Sequence, residues 1–148
     1  MFAHVLVAVD GSAQSHYALS TFLKMINAKE TKVTVLYVIA PSQYIVIEEV
    51  LRYSGIPSFH KLRERLVQQE EEMVRQSVKM ISESECVPVE MIVRIGDPRD
   101  EILAVALEID ASLIAMGSTG KGLGERILLG SVSAYVTRHS PISTMIIR

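Results

Sequence analysis

The sequence has few of the residues that build disulfide frameworks, metal centres or sites for polyanions. Its 148 residues include one cysteine, Cys86, so no disulfide can form within the chain, and no group of cysteines and histidines has metal-ligand spacing. The formal net charge of −2 shows no excess of positive charge. Apolar runs are short, and Asp10 interrupts the first of them too early for a signal peptide. We therefore expect a cytoplasmic protein that binds neither nucleic acid nor membrane.

What the sequence does contain is typical of a globular domain. Hydrophobic residues make up 49% of the chain and charged residues 22%, a composition that favours a folded core over disorder. A chain of 148 residues is expected to form a single domain, here 1–148. The thiol of Cys86, with no partner for a disulfide, is expected to pack as a small hydrophobic group.

Short apolar runs rich in β-branched residues alternate with stretches that have the periodicity of an amphipathic helix. The apolar runs predict strands at 4–9, 32–39, 87–95, 112–117 and 142–147. The periodic stretches predict helices at 13–27, 59–84 and 127–139, and a further one that starts at Gly96-Asp97-Pro98. The stretch 42–58 should be irregular, because glycine and proline interrupt it.

The same periodicity predicts how the helices begin and which residues they bury. Ser12 should cap the first helix, since a serine oxygen there can accept from a backbone N–H of the first turn. The residues expected to face the core are Ala18, Phe22, Met25 and Ile26 in the first helix, Phe59, Leu62, Leu66, Met73, Met80 and Ile81 in the second, and Ile102, Val105, Ala106 and Ile109 in the third.

Strands joined by helices form β-α-β units, and such units make parallel sheets with right-handed crossovers. The sequence thus predicts an α/β fold, a doubly wound three-layer sandwich with a five-stranded, mainly parallel sheet and four main helices. In such sheets a ligand binds outside the carboxyl ends of the strands, where the strand order reverses. Asp10 and a cluster of glycines each follow a strand directly, so both are expected at that edge.

The glycine cluster has the spacing Gly117-x2-Gly120-x9-Gly130-Ser131 and lies between the fourth strand and the fourth helix. Glycines let backbone N–H groups approach a ligand closely, and a row of such groups beside a helix N-terminus attracts an anion. The P-loop motif does not fit, because no Lys-Ser or Lys-Thr pair follows the second glycine, and the dinucleotide motif lacks its third glycine. A flexible connection remains the alternative for this loop.

This glycine spacing, in this place, resembles the nucleotide-binding branch of the universal stress protein family. The resemblance covers essentially the whole chain and includes "LVAVDGS" (6–12), "VLYVI" (35–39), "GDP" (96–98) and "LLGSVSAYVTRHSPISTMIIR" at the end. It implies a Rossmann-like fold of the adenine nucleotide α-hydrolase type. It also implies a site for ATP, with Mg²⁺ or Mn²⁺ held by the phosphates.

The resemblance implies roles for individual residues, each at a position that matches the family's pattern. The phosphates would be bound by Gly117, Ser118, Thr119, Gly120, Lys121, Gly122, Gly130, Ser131, Val132 and Ser133, and the nucleoside by Ala8, Asp10 and Val38. Taken alone, Asp10 could equally form an Asx turn in its Asp-Gly-Ser sequence. Lys121 and Arg126 could be solvated surface charges or could neutralise phosphate.

The sequence shows no general base or nucleophile with a neighbouring histidine, so we expect a binding module and not an efficient enzyme. That module would be a nucleotide-dependent sensor or regulator in the stress response. Two alternatives remain open: a slow ATPase, and a dimeric scaffold with no physiological ligand.

The last predicted strand, 142–147, should lie at the edge of the sheet, because no later element follows to pair with it. An apolar edge strand promotes aggregation unless it is covered or paired. Two copies could pair about a two-fold axis, so we expect a homodimer, as the resemblance also implies. The alternative is a monomer whose last strand is tucked under the fourth helix.

Overall fold

The structure is a computed structural model that describes residues 1–41, 49, 52–53, 59–119 and 129–148. Strands and helices alternate along the chain, as the sequence predicts. The strands are β1 (His4–Val9), β2 (Lys32–Ile39), β3 (Glu90–Ile95), β4 (Leu113–Gly117) and β5 (Ser143–Ile147). The main helices of this described part are α1 (Ala13–Met25), α2 (Phe59–Glu85), α3 (Pro98–Glu108) and α4 (Ser131–His139).

The five strands form one sheet in the order β3-β2-β1-β4-β5, and every neighbouring pair is parallel. From β1 the chain moves outward through β2 to β3, then returns to the other side of β1 for β4 and β5. The strand order therefore reverses between β1 and β4, and the doubly wound fold predicted from the sequence is confirmed. The reversal opens a crevice at the carboxyl ends of these two strands, where ligands bind in such sheets.

Each face of the sheet carries its own hydrophobic core, because successive side chains of a strand point to opposite faces. Val5, Val7 and Val35 pack on the face covered by α1 and α2. Leu6 and Leu36 pack on the face covered by α3 and α4. The central strands are thus apolar on both sides, as expected of a parallel sheet between two helical layers.

The buried stripe of α2 differs from the predicted one. Val74 and Val78 are buried, whereas Met73 and Met80 are 69% and 70% exposed. Residue 73 precedes 74 by one position, which turns its side chain by about 100° around the helix. In α1 the prediction of Ala18 and Phe22 is confirmed, but Met25 is 62% exposed. The periodicity thus predicted three methionines to be buried that lie beside the buried stripe and are exposed.

Three further boundaries or environments also differ from the predictions. The fourth helix starts at Ser131 and not at 127, because Gly130 has extended backbone and serves as its N-cap; residues 127–128 lie outside the described part. β3 starts at Glu90 and not at 87, since Pro88 has no N–H to donate to a neighbouring strand. Cys86 is exposed and has a positive φ of 57° in the turn after α2, so it does not pack in the core.

Most of 42–58, which we predicted to be irregular, lies outside the described residues, but Glu49, Arg52 and Tyr53 are described and have helical backbone. No helix in the described ranges is both long enough and apolar enough to cross a membrane.

Candidate ligand site at the carboxyl end of the sheet

A cavity of about 260 Å³ opens at the carboxyl ends of β1, β2 and β4, between the first turns of α3 and α4. Its volume is close to the lower end of the roughly 300–1,000 Å³ of ordinary ligand pockets. The cavity is lined by Ala8, Val9, Asp10, Ser15, Leu36, Val38, Pro98, Ile102, Met116, Gly117, Thr119, Gly130, Ser131, Val132 and Ser133. It therefore occupies the crevice that the strand order creates.

One part of the lining is apolar and comes from the sheet and from the helical layer on one of its faces. Leu36 and Val38 lie two residues apart on β2 and so point to the same face of the sheet. Ile102 contributes from α3, Met116 from β4 and Val132 from α4. An aliphatic surface of this kind suits a flat aromatic ring, which gains from burial without needing a specific partner for every edge.

Asp10 sits where β1 ends and is held there by a local turn. Its Oδ1 accepts a hydrogen bond from the backbone N–H of Ser12 at 2.9 Å, which closes an Asx turn around Gly11, whose φ is 83°. Ser12 in turn caps α1 by accepting from the backbone N–H of Ser15 at 3.2 Å, so the predicted cap is confirmed. Asp10 can therefore form the Asx turn and also line the cavity, because the hydrogen bond that closes the turn holds the carboxylate beside the cavity.

Hydrogen bonds join the two ends of the glycine cluster. The backbone N–H of Gly130 donates to the carbonyl oxygen of Ser118 at 2.7 Å. The Ser133 hydroxyl, which is buried, donates to the carbonyl oxygen of Gly117 at 2.9 Å. Ser133 therefore ties the first turn of α4 to the end of β4, and its hydroxyl hydrogen is engaged within the protein.

Gly117 lies close to the side chain of Gln14. A Cβ at this position would lie 2.8 Å from Oε1 of Gln14, on α1. That oxygen is itself buried without a hydrogen-bond partner in the structure. The first turn of α1 thus lies directly against the end of β4, and glycine permits the close approach.

The N-terminus of α4 has no side-chain cap. Gly130 is its N-cap residue, and the first turn contains no acidic residue. By contrast, α3 is capped by Asp97, whose carboxylate accepts from the backbone N–H of Arg99, and its first turn contains Asp100 and Glu101. The partial positive charge at a helix N-terminus is therefore offset by the chain's own acids in α3, whereas no acid in the described first turn of α4 offsets it there.

Few of the described charged groups lie at or near the cavity. Among the described lining residues Asp10 is the one that carries charge. Burial lowers the pKa of His16, and the nearby charge of Asp10 acts in the opposite direction. The Arg99 guanidinium, which hydrogen-bonds Asp97, lowers the pKa of that carboxyl and keeps it ionised. No group of three or more described His, Cys, Asp or Glu residues is placed to hold a metal ion.

The structure brings together most of the residues singled out from the sequence. Ser118 is buried beside the cavity without lining it, and Gly120, Lys121 and Gly122 lie outside the described residues. Those that line the cavity are Ala8, Asp10, Val38, Gly117, Thr119, Gly130, Ser131, Val132 and Ser133.

The sequence reasoning missed six lining residues. They are Val9, Ser15, Leu36, Pro98, Ile102 and Met116. Two of them carry a signal that could have been used. Leu36 is two positions before Val38 on a strand, and Ile102 is four positions after Pro98 on a helix, so each pair shares a face.

A sheet of this order with a cavity at its reversal point defines a doubly wound α/β protein with a candidate ligand site. Residues 1–148 match the universal stress protein family. Because the match covers the whole chain, the protein belongs to this family.

Similar proteins have been sequenced and solved. A Staphylococcus aureus (strain USA300) protein, provisionally named as a universal stress protein, is 29% identical over 148 residues, which cover 99% of this chain and 84% of the relative. The hypothetical protein MJ0577, the subject of a structure-based assignment of biochemical function, has a TM-score of 0.78 and is 26% identical; the alignment covers 99% of this chain and 96% of that one.

Two more distant structures of the same fold carry nucleotides. A universal stress protein solved in complex with cAMP has a TM-score of 0.67 and 22% identity, covering 99% of this chain and 97% of that one. The universal stress protein from Archaeoglobus fulgidus, solved in complex with dAMP, has a TM-score of 0.65 and 18% identity, covering 99% and 98%. At these identities the likeness concerns the fold.

Proposed function

We propose that the protein binds ATP in this cavity and acts as a nucleotide-dependent sensor or regulatory module in the stress response. The observation that carries the proposal is the uncapped N-terminus of α4, which opens on the same cavity as Asp10 and an apolar surface. These three features match the three parts of a nucleotide: the phosphates, the sugar hydroxyls and the base.

The adenine ring would lie on the apolar surface formed by Leu36, Val38 and Ile102, with main-chain contacts from Ala8 and Val38. Asp10 would accept hydrogen bonds from the sugar hydroxyls, where its negative charge is remote from the phosphates. The complexes of two proteins of the same fold with cAMP and dAMP support an adenine nucleotide as the ligand class.

The phosphates would meet the first turn of α4. Backbone N–H groups at a helix N-terminus lack intrahelical partners and can donate to phosphate oxygens. Ser131 is exposed in that turn and can offer its hydroxyl as well. Ser133 would act by holding the turn against Gly117, since its hydroxyl hydrogen is already used there. The proposal includes Thr119 and the adjoining Gly120, Lys121 and Gly122 on the other side of the phosphates.

Mg²⁺ or Mn²⁺ would be held by the phosphates, because the described residues provide no acidic cluster at the cavity. The proposal assigns Asp10 to the sugar, which leaves the described lining without a second acid or histidine to activate water. We therefore expect hydrolysis to be slow or absent, in a protein located in the cytoplasm.

Calorimetry of the purified chain with ATP, AMP and adenosine, each with Mg²⁺, tests the proposal. We expect all three to bind and ATP to bind most tightly, because only ATP reaches the turn of α4 with its full phosphate chain. Absence of binding at about 1 mM, which corresponds to roughly −4 kcal/mol, would contradict the proposal and favour a scaffold without a ligand. Phosphate release near the ~1–100 s⁻¹ typical of kinases would instead indicate an enzyme.

We also propose that the protein is a homodimer that pairs through β5. In the described sheet β5 has β4 on one side and no strand on the other. Met145 and Ile146 are only partly buried there. Antiparallel pairing of two β5 edges would bond their backbone groups and close about a two-fold axis.

Sedimentation equilibrium at micromolar concentration tests the dimer. Thr144→Glu would place two like charges near each other at the paired edges and is expected to give a monomeric mass. Thr144→Val, which adds no charge, should leave the dimer intact. A monomeric mass for the unaltered chain would contradict the dimer.

A further inference from the structure

An arginine connects α3 and α4, the two helices whose first turns contribute to the cavity. Arg99 lies in the first turn of α3, and its guanidinium carbon is 5.4 Å from the centre of the Tyr135 ring on α4. This distance is within the range of a cation–π contact. Asp97 holds the same guanidinium from the other side, with Oδ2 2.9 Å from Nη2 and Oδ1 3.2 Å from Nε.

The position of Arg99 relative to the site follows from its neighbours. Pro98, the residue before it, lines the cavity. Tyr135, the ring beneath it, is one helical turn after Ser131, which also lines the cavity, and a turn rises about 5.4 Å. Arg99 thus contacts α4 about one turn after Ser131, at a ring that also stacks on His139 with the two ring centres 4.0 Å apart. The side chain of Arg99 is 47% exposed, so about half of it is open to solvent.

The hydrogen-bonding capacity of Arg99 is only partly used. A guanidinium has five N–H donors in a planar fork, and Asp97 engages Nε and Nη2. None of the described hydrogen bonds of Arg99 uses Nη1, so this edge of the guanidinium can donate to another acceptor. The pair with Asp97 is partly exposed, and such pairs contribute little to stability. A phosphate, with more charge and a matching fork geometry, can compete for this arginine.

We propose that Arg99 binds the phosphates of the nucleotide and makes the site selective for ligands with more phosphate groups. This inference rests on the proposed adenine nucleotide site. On binding, the guanidinium turns from Asp97 toward the phosphates at the first turn of α4 and keeps its contact with Tyr135. Among described residues no other arginine or lysine is paired across α3 and α4 in this way.

The experiment compares ATP, AMP and adenosine on Arg99→Ala. Loss of a charge-assisted hydrogen bond to phosphate should weaken ATP binding by roughly 10-fold to 100-fold, weaken AMP less, and leave adenosine unchanged. Arg94→Ala is the matched control, because Arg94 is also a half-exposed arginine, paired with Glu108 at the far end of α3. It removes the same charge and should leave the three affinities as they are.

A second variant tests the exchange of partners. Asp97→Asn keeps a side chain that can cap α3 but removes the charge that competes for Arg99. ATP should then bind up to about fivefold more tightly, an effect of the size of a partly exposed ion pair. In the double variant Asp97→Asn, Arg99→Ala this gain should disappear.

The outcomes separate this inference from the proposal on which it rests. If the unaltered chain binds neither ATP nor adenosine, both are overturned. If it binds them and Arg99→Ala weakens ATP and adenosine equally, Arg99 only clamps α3 to α4 and the inference is overturned alone. Unchanged ATP binding in Arg99→Ala overturns it as well.

Discussion

Helices α3 and α4 begin side by side at the same cavity, and they begin differently. At α3 the chain supplies its own acceptor: Asp97 accepts the N–H of Arg99 at 2.9 Å, and two more acids follow in the first turn. At α4 the N-cap is Gly130, without a side chain, and no acid follows. Both turns face the same crevice, so the difference lies in the sequence and not in the fold.

The comparison shows how a helix terminus can be reserved for a ligand. Helix α1 resembles α3, since Ser12 caps it from within the chain. Gly130 has a φ of −68°, which any residue can adopt, so the backbone does not require glycine there. What glycine provides is an approach without a side chain, to a first turn that its own N-cap residue does not cap. Closing α4 in the manner of α3 should therefore abolish the proposed function without harming the fold.

The largest effect is expected from Gly130→Asp. An aspartate at this N-cap would accept from the first turn of α4 and put a negative charge where the phosphates are proposed to bind. Two like charges about 4 Å apart repel by roughly 4 kcal/mol at an effective dielectric constant of about 20. ATP affinity should therefore fall at least about 100-fold, while the free energy of unfolding stays the same or rises slightly. Calorimetry and urea denaturation measure the two quantities.

Gly130→Asn is the control for this variant, because it has nearly the same shape and caps without charge. The affinity for ATP should fall much less in Gly130→Asn than in Gly130→Asp. Equal losses in both variants would mean that the side chain acts by its bulk, and unchanged ATP binding in Gly130→Asp would place the phosphates elsewhere.

Features that depend on residues close together in the chain could be predicted from the sequence. Ser12 was expected to cap α1 and does, because a cap involves only residues three or four positions away. Asp10 was placed at a carboxyl end because a parallel sheet aligns all such ends at one edge. Strands β1 and β2 were predicted at their observed bounds, since both are continuous β-branched runs between turns.

What the sequence left open depends on how distant segments pack. The start of α4 was placed four residues early, because an apolar pattern shows periodicity but not where a backbone stops being helical. Pro98 and Ile102 became cavity residues only through the crossover that lays α3 across the sheet. The hydrogen bond from Ser133 to Gly117 joins residues 16 positions apart, and no local pattern in the sequence indicates it.

The next effect concerns stability inside the first turn of α4. Ser133→Ala removes the hydrogen bond to the carbonyl oxygen of Gly117, which is buried at the end of β4. Leaving that acceptor without its donor should cost about 1–3 kcal/mol of unfolding free energy, measured by urea denaturation. Ser131→Ala serves as the matched variant, since this exposed serine should affect ATP binding and not stability. If Ser133→Ala weakened ATP binding and Ser131→Ala lowered stability, the two serines would have the opposite roles.

A smaller effect is expected where the helix start is already closed. Asp97→Ala removes the cap of α3 and should lower the unfolding free energy by about 1 kcal/mol, or the melting temperature by roughly 2–4 °C. Asp97→Asn should keep most of this stability, because it can still cap. If Asp97→Ala and Asp97→Asn have the same unfolding free energy, the cap does not stabilise α3. The capped start of α3 and the start of α4 would then not differ in stability.

The smallest effect is expected in the first turn of α1, which begins at the same edge of the sheet as α3 and α4. His16 donates its backbone N–H to the carbonyl oxygen of Ser12 at 3.1 Å, and its Nε2 is buried without a partner. Burial lowers the pKa of His16 below its ordinary value, with the charge of Asp10 opposing the shift. As pH falls below about 6.5, the ordinary pKa of histidine, the unfolded chain takes up this proton before the folded chain does. Stability should therefore decrease with falling pH through this window.

Urea denaturation at several pH values between about 7.5 and 5 measures this contribution by comparing the unaltered chain with His16→Gln. The variant should lose part of the decrease, since the other three histidines are present in both chains. Asp10→Asn should steepen the decrease, because it removes the charge that favours protonation of His16 in the folded state. If His16→Gln and the unaltered chain show the same pH dependence, the folded protein accommodates the protonated imidazole, and the first turn of α1 is more open than its cap implies.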